Sequence, residues 1–134
     1  MTSMRQGFRE HYGPWALIAG ASEGIGAAFA TQLARCGLDL ILLARRPAPL
    51  AVLASELTSQ VDITAVPHAM NLAEPDLITS LDPILQGRDV GMLVCNAALA
   101  STGPFLDRPI EDHLEALSVN CQAPLRLIHT LGSR

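Results

Sequence analysis

Gly20-Ala21-Ser22-Glu23-Gly24-Ile25-Gly26 is the stretch on which the fold turns. Before it, Trp15-Ala16-Leu17-Ile18-Ala19 is continuously apolar, as a strand buried on both faces should be. After it the period changes. Ile25, Ala28, Phe29 and Leu33 fall on one helical stripe, and Gly37 supplies a C-terminal stop that tolerates positive φ. The order is strand, tight turn, helix, preceded by a polar leader that contains Gly7, Gly13 and Pro14.

The alternation continues outward. Leu38 to Ala44 reads as a second buried strand, and Ala48 to Ser59 as a helix with Leu50, Leu53, Ala54 and Leu57 inward. Ile63 to Met70 is a third strand, placed at an edge because Pro67 cannot donate to a ladder. A third helix is predicted to start near Glu74-Pro75 and to be broken or kinked by Pro83 before Gly87. Val90 to Cys95 is a fourth buried strand, Asn96 to Pro104 a loop, and Asp107 the cap of a long helix from about Pro109 to Leu131. Strands separated by helices imply right-handed crossovers and a parallel sheet, with ligands at the carboxyl ends of the strands. The predicted class is therefore α/β, with helices on both faces and strand order 3-2-1-4. This is the N-terminal half of a doubly wound parallel sheet, and residues 1–134 form one partial domain. Its fourth strand would leave an edge unpaired.

Composition narrows the function. With 134 residues, 49% hydrophobic and 16% charged, the chain is expected to fold in layers around an aliphatic core. A net charge of −4 and no basic cluster beyond Arg45-Arg46 argue against a nucleic-acid partner. Cys36, Cys95 and Cys121 are odd in number, widely spaced and set in apolar sequence, which suggests reduced thiols rather than disulfides or a zinc site. His11, His68, His113 and His129 show no metal spacing. No apolar run approaches the roughly 18 residues of a membrane span, so a soluble, cytoplasmic protein is expected. All nine basic residues are arginines, and any chemistry that needs a lysine lacks one here.

Glycines at spacings of four and two, Gly20, Gly24 and Gly26, let the chain turn sharply and bring bare backbone against a diphosphate. The helix that starts there offers unpaired N–H groups and the positive end of its dipole, and Ser22 adds a hydroxyl donor. A glycine-rich strand–helix turn without a ligand is the competing reading. Charge bears on the choice of cofactor. A site for NAD places a carboxylate at the end of the second strand, but Ala44 holds that place and Asp39 lies at the strand's opposite end. Arg45 and Arg46 follow, and a guanidinium holds a 2′-phosphate by a charge-assisted pair. NADP(H) is therefore the expected cofactor, with a solvated arginine pair as the alternative. Pro124 removes the N–H that would bond the carbonyl of Asn120, opening the long helix at that point, whether as a site or as a simple kink.

The motifs resemble those of the short-chain dehydrogenase/reductase family, whose cofactor turn after the first strand is Gly-x-x-x-Gly-x-Gly, matched here by Gly20 to Gly26. Asn71-Leu72 sits where the family has an Asp-hydrophobe pair at the adenine. Cys95-Asn96-Ala97-Ala98 stands at its Asn-Asn-Ala-Gly, and Val119-Asn120 at its catalytic asparagine. Asn71, Cys95 and Ala98 depart from the family's residues. The resemblance covers essentially the whole chain and implies a Rossmann-type fold. The cofactor-binding residues it implies are Gly20, Ser22, Glu23, Gly24, Ile25, Gly26, Arg45, Arg46, Asn71, Leu72, Asn96, Ala97 and Ala98, with Asn120 catalytic and no metal.

The family's reaction also relies on a serine and a Tyr-x-x-x-Lys pair. The one tyrosine, Tyr12, precedes the first strand and has Ala16 four residues on, and there is no lysine. Expected is a truncated oxidoreductase, inactive alone. The intact protein would reduce a small-molecule carbonyl or oxidise an alcohol with NADP(H). The alternatives are a non-catalytic dinucleotide-binding module and an inactive fragment that needs a partner chain. Self-association through the long helix is the family's habit and is expected here by analogy.

Overall fold

A computed structural model describes residues 2–134. Helix α1 (Thr2–Tyr12) leads into β1 (Trp15–Ala19), α2 (Gly24–Arg35), β2 (Asp39–Ala44), α3 (Pro47–Gln60), β3 (Ala65–Ala69), α4 (Leu77–Leu85) and β4 (Val90–Cys95). A 3₁₀ turn at Phe105–Asp107 precedes α5 (Ile110–Leu117), a π-helical turn at Ser118–Gln122 and α6 (Ala123–Gly132). The strands form one four-stranded sheet in the order β3-β2-β1-β4, every pair parallel.

Period-two alternation along the central strands divides the core in two. Ala16 and Ile18 of β1, with Leu40, Leu42 and Ala44 of β2, pack beneath Ala30 and Leu33 of α2 and Leu50 and Leu57 of α3. Leu17, Ala19, Ile41 and Leu43 point to the other face, against Leu77, Leu81 and Leu85 of α4 and Ala123 and Leu127 of α6. Because both faces are covered, the central strands read as unbroken apolar runs. β3 is an edge strand, and Pro67 sits within it opposite Leu42. At the other edge β4 is only partly buried along its length, against the prediction of a buried strand, because nothing among the described residues pairs with its outer side.

Four further local expectations are corrected. The polar leader is helical: the Phe8 and Tyr12 rings meet at 4.7 Å, tilted 48° to each other, and Arg9 is fastened to the Asp39 carboxylate at 2.7 Å. On α2 the buried residues are Gly26, Ala30, Leu33 and Ala34, whereas Ile25 and Phe29 are 68% and 45% exposed. The first turns of the helix have only Gly26 and Ala30 beneath them, with Ile25 and Phe29 turned outward, and Leu33 packs into the core farther along. Glu74-Pro75 lies before α4, whose cap is Asp76, and Pro83 is carried inside the helix's last turn without breaking it. Asp107 belongs to the 3₁₀ turn and caps nothing; α5 starts after Pro109. Helix α2 does end as expected: the Gly37 N–H bonds the Ala34 carbonyl and the Leu38 N–H the Leu33 carbonyl, a Schellman closure with Gly37 at φ +87°.

Candidate functional site

The carboxyl ends of the strands open into a cleft of about 280 Å³. Its wall includes Gly20, Ser22 and Glu23 from the β1–α2 turn and Ala44 and Arg45 from the end of β2. Met70, Asn71 and Leu72 follow β3; Asn96, Ala97, Ala98 and Leu99 follow β4; Val119 comes from the π turn. Four separate connections of the sheet therefore converge where a doubly wound sheet binds its ligand.

Two glycines make this geometry possible. Gly20 has φ +88°, and a Cβ there would stand 2.5 Å from the Ala97 nitrogen. A Cβ on Gly26 would stand 1.8 Å from the Gly20 carbonyl oxygen. The bare backbones let α2 approach β1 and let the loop after β4 lie across the turn. That loop is tied down as well. The Asn96 and Ala97 amides both donate to the Ala19 carbonyl, at 2.9 and 2.8 Å, and Asn96 Nδ2 donates to the Gly20 carbonyl at 3.1 Å. On the other side the Gly20 and Ala21 amides donate to the Leu43 carbonyl. Helix α2 then starts at Gly24 with its first backbone bond from Ala27 to Glu23, and Glu23 makes no side-chain cap. Its opening amides are thus free of intrahelical partners and carry the positive end of the dipole.

The expected site residues separate into those that line the cleft and those that do not. Gly20, Ser22, Glu23, Arg45, Asn71, Leu72, Asn96, Ala97 and Ala98 line it. Gly24, Ile25 and Gly26 form the first turn of α2 beside it; Gly26 is buried under the Gly20 carbonyl and Ile25 is largely exposed. Arg45 and Arg46 diverge. Arg45 is on the cleft wall, while Arg46 Nη2 pairs with Glu23 Oε2 at 3.0 Å. Asn71 turns on itself, its Oδ1 accepting from the Ala73 amide at 3.0 Å and its Nδ2 donating to Glu74 Oε1 at 3.3 Å. Met70, Leu99 and Val119 are wall residues that the sequence reading missed; Val119 stood beside the motif asparagine, the one available signal.

Asn120 lies in the π turn, where the Ala123 amide reaches back to the Ser118 carbonyl. Pro124 accounts for the widening, since it cannot donate to the carbonyl of Asn120. Both the oxygen and the nitrogen of the Asn120 side chain engage the loop after β4. The Leu99 N–H donates to its Oδ1 at 2.8 Å, and its Nδ2 donates to the Leu99 carbonyl at 2.7 Å. It shapes the cleft from outside its wall. Loop residues Thr102 and Phe105 are pinned too, the Thr102 carbonyl by Arg108 Nε at 3.1 Å and the Phe105 ring by His113 stacked at 4.0 Å.

Two of the cysteines differ from the expectation of apolar surroundings. Cys95 and Cys121 are exposed, although partial desolvation pushes the Cys95 thiol up from its ordinary value. Among the described residues no group of His, Cys, Asp and Glu could hold a metal ion, and no helix is long and apolar enough to cross a membrane.

Comparison with known proteins gives the same frame. A very-long-chain 3-oxoacyl-CoA reductase of Laccaria bicolor is 34% identical over 97% of this chain, and a 7beta-hydroxysteroid dehydrogenase of Collinsella aerofaciens is 32% identical over 90%. The chain spans only 39% and 46% of those two proteins' lengths. Among solved structures, a 7beta-hydroxysteroid dehydrogenase superposes with a TM-score of 0.87 at 32% identity, covering 92% of this chain and 49% of that one. A short-chain dehydrogenase from Sphingobium yanoikuyae in complex with NADPH gives 0.81 at 32% identity, over 88% and 47% of the two chains. The sequence profile described as short chain dehydrogenase matches residues 14–132, from the residue before β1 to the end of α6. With its parallel 3-2-1-4 sheet, its glycine turn and that match, this chain belongs to the short-chain dehydrogenases, a family of oxidoreductases.

Proposed function

We propose that the chain is the NADP(H)-binding part of a reductase or dehydrogenase that interconverts a small-molecule carbonyl and an alcohol. The observation that carries the choice of cofactor is at the end of β2, where buried Ala44 is followed by Arg45 on the cleft wall. A carboxylate at that place would bond a ribose 2′-hydroxyl and repel a 2′-phosphate; a guanidinium does the reverse.

The residues present suit such a group. The α2 amides and the Gly20–Gly26 turn would take the diphosphate, Arg45 the 2′-phosphate, Asn71 and Leu72 the adenine, and the Asn96–Leu99 loop the nicotinamide ribose. Bound there, the nicotinamide would supply the hydride. Asn120 would hold Leu99, and with it the loop, in place. Ala98 puts a methyl group where the family's glycine has none, which trims the room for the ribose. Several solved relatives are NADP(H) complexes, among them the Sphingobium yanoikuyae enzyme and a metagenomic short-chain oxidoreductase.

The reaction also needs a proton donor beside the carbonyl. These 134 residues contain no lysine, and Tyr12 closes α1 at the amino ends of the strands, away from the cleft. In this reading the chain binds NADPH without oxidising it, and the donor comes from outside these residues. Isothermal titration tests it: NADPH is expected to bind, and Arg45→Ala to weaken it about tenfold, the worth of one charge-assisted pair. Equal affinities would remove the 2′-phosphate assignment, and absence of binding would remove the cofactor site.

A further inference from the structure

Helix α6 reaches the connection between β3 and α4 through Arg126, whose Nη1 donates to the Pro75 carbonyl at 3.0 Å and to the Glu74 carbonyl at 3.4 Å. That connection carries Asn71 and Leu72 on the cleft wall. We propose that Arg126 is a positioning residue for the adenine end of the dinucleotide: by fastening the Glu74 and Pro75 carbonyls to α6, it holds the Asn71–Leu72 wall in place against the base. This rests on the reading of the cleft as an NADP(H) site.

The physical argument is that this stretch is closed on itself and tied to little else. The Glu74 amide donates to the Asn71 carbonyl at 3.2 Å, the Ala73 amide to Asn71 Oδ1 at 3.0 Å, and the Leu77 amide to the Glu74 carbonyl at 3.2 Å. Bonds of this kind make a compact turn but do not locate it against the sheet. Among the described residues, the hydrogen bonds that join residues 71–76 to anything beyond the turn and α4 come from Arg126. No backbone amide among them takes the Pro75 carbonyl, so the guanidinium supplies a partner that carbonyl otherwise lacks. Successive carbonyls suit a guanidinium, which presents several N–H groups in a fixed fork. Beneath the turn, Leu72 is buried in one cluster with Ala123 and Leu127 of the same helix, so a polar tie and an apolar contact draw it to α6 together. Helix α6 follows the π turn in which Asn120 holds Leu99. One helical segment thus fastens two walls of the cleft, the loop after β4 through Asn120 and the turn after β3 through Arg126.

The test combines two readouts on wild type, Arg126→Ala and Arg126→Lys. Calorimetric titration uses NADPH and adenosine 2′,5′-bisphosphate, which carries only the adenine end; amide hydrogen exchange is followed on the free proteins. Arg126→Ala is expected to weaken both ligands at least about threefold and by a common factor, and to speed exchange at the Glu74 and Leu77 amides. Arg126→Lys, which keeps a charged donor, is expected to recover most of both effects. Weaker binding with unchanged exchange would reduce Arg126 to a distant charge and overturn its positioning role. A loss for NADPH that the bisphosphate does not share, no loss for either, or a wild type that takes NADPH but not the bisphosphate would overturn it too, leaving the cofactor site standing. Wild-type protein that binds neither ligand would instead overturn the reading of the cleft and this inference with it.

Discussion

A methyl group at Gly26 would meet backbone at 1.8 Å, whereas one at Gly24 would meet nothing within 4 Å. The two glycines of the turn are therefore held by different physics: close helix–strand approach at Gly26, and a left-handed φ of +58° at Gly24. Gly26→Ala is expected to cost about 2 kcal/mol or more and Gly24→Ala about 1 kcal/mol, measured by urea unfolding. Asn120 gives a second test. Truncation to alanine deletes both bonds to Leu99 and is expected to cost about 1–2 kcal/mol and to speed amide exchange at Leu99. Asn120→Asp keeps the acceptor and loses only the donor, so its Leu99 amide should stay the better protected of the two. Unchanged exchange in Asn120→Ala would refute the pinning role. The glycines could be read from sequence because spacing alone encodes their turn. The fate of Arg46 could not, because its partner Glu23 lies 23 residues away and only the convergence of two connections brings them together.

Among the elements, α2 shows best how packing overrides pattern. Its stripe of Ile25, Ala28, Phe29 and Leu33 is a legitimate helical period, yet three of those residues are exposed and the buried face is Gly26, Ala30, Leu33 and Ala34. Hydrophobicity marks a helix's apolar side only when size is not limiting, and here the first turns of the helix have only Gly26 and Ala30 beneath them, Leu33 packing in farther along. Phe29→Ala is accordingly expected to cost under about 1 kcal/mol and Ala30→Leu about 1–3 kcal/mol, read from urea midpoints; the opposite order would contradict the observed face. Helix α1 was invisible because its stability comes from contacts distant in sequence, Arg9 with Asp39 above all. The break in the long helix, by contrast, was announced by Pro124, although its form as a π turn was not.

For the whole molecule, the sheet order and the two aliphatic cores were legible from apolar runs and their spacing, because in an all-parallel sheet burial on both faces writes itself directly into the strands. Less legible was how much apolar surface the chain leaves open. Ile25 and Phe29 of α2, and Ile110, Leu114, Leu117, Leu125 and Ile128 of α5 and α6, are exposed, and among the described residues no strand pairs with the outer edge of β4. Unpaired edges and apolar patches of this kind draw chains together. The chain by itself is expected to self-associate in sedimentation velocity, and Leu125→Glu with Ile128→Glu to reduce that association; a well-folded monomer at all concentrations would contradict this. The most direct test of the nucleotide cleft is a titration of ¹⁵N-labelled protein with NADPH followed by amide chemical shifts. Binding as described will move the amides of Gly20 to Gly26, Arg45 and Asn96 to Leu99 together. Shifts confined to other surfaces, or none at millimolar NADPH, would contradict it.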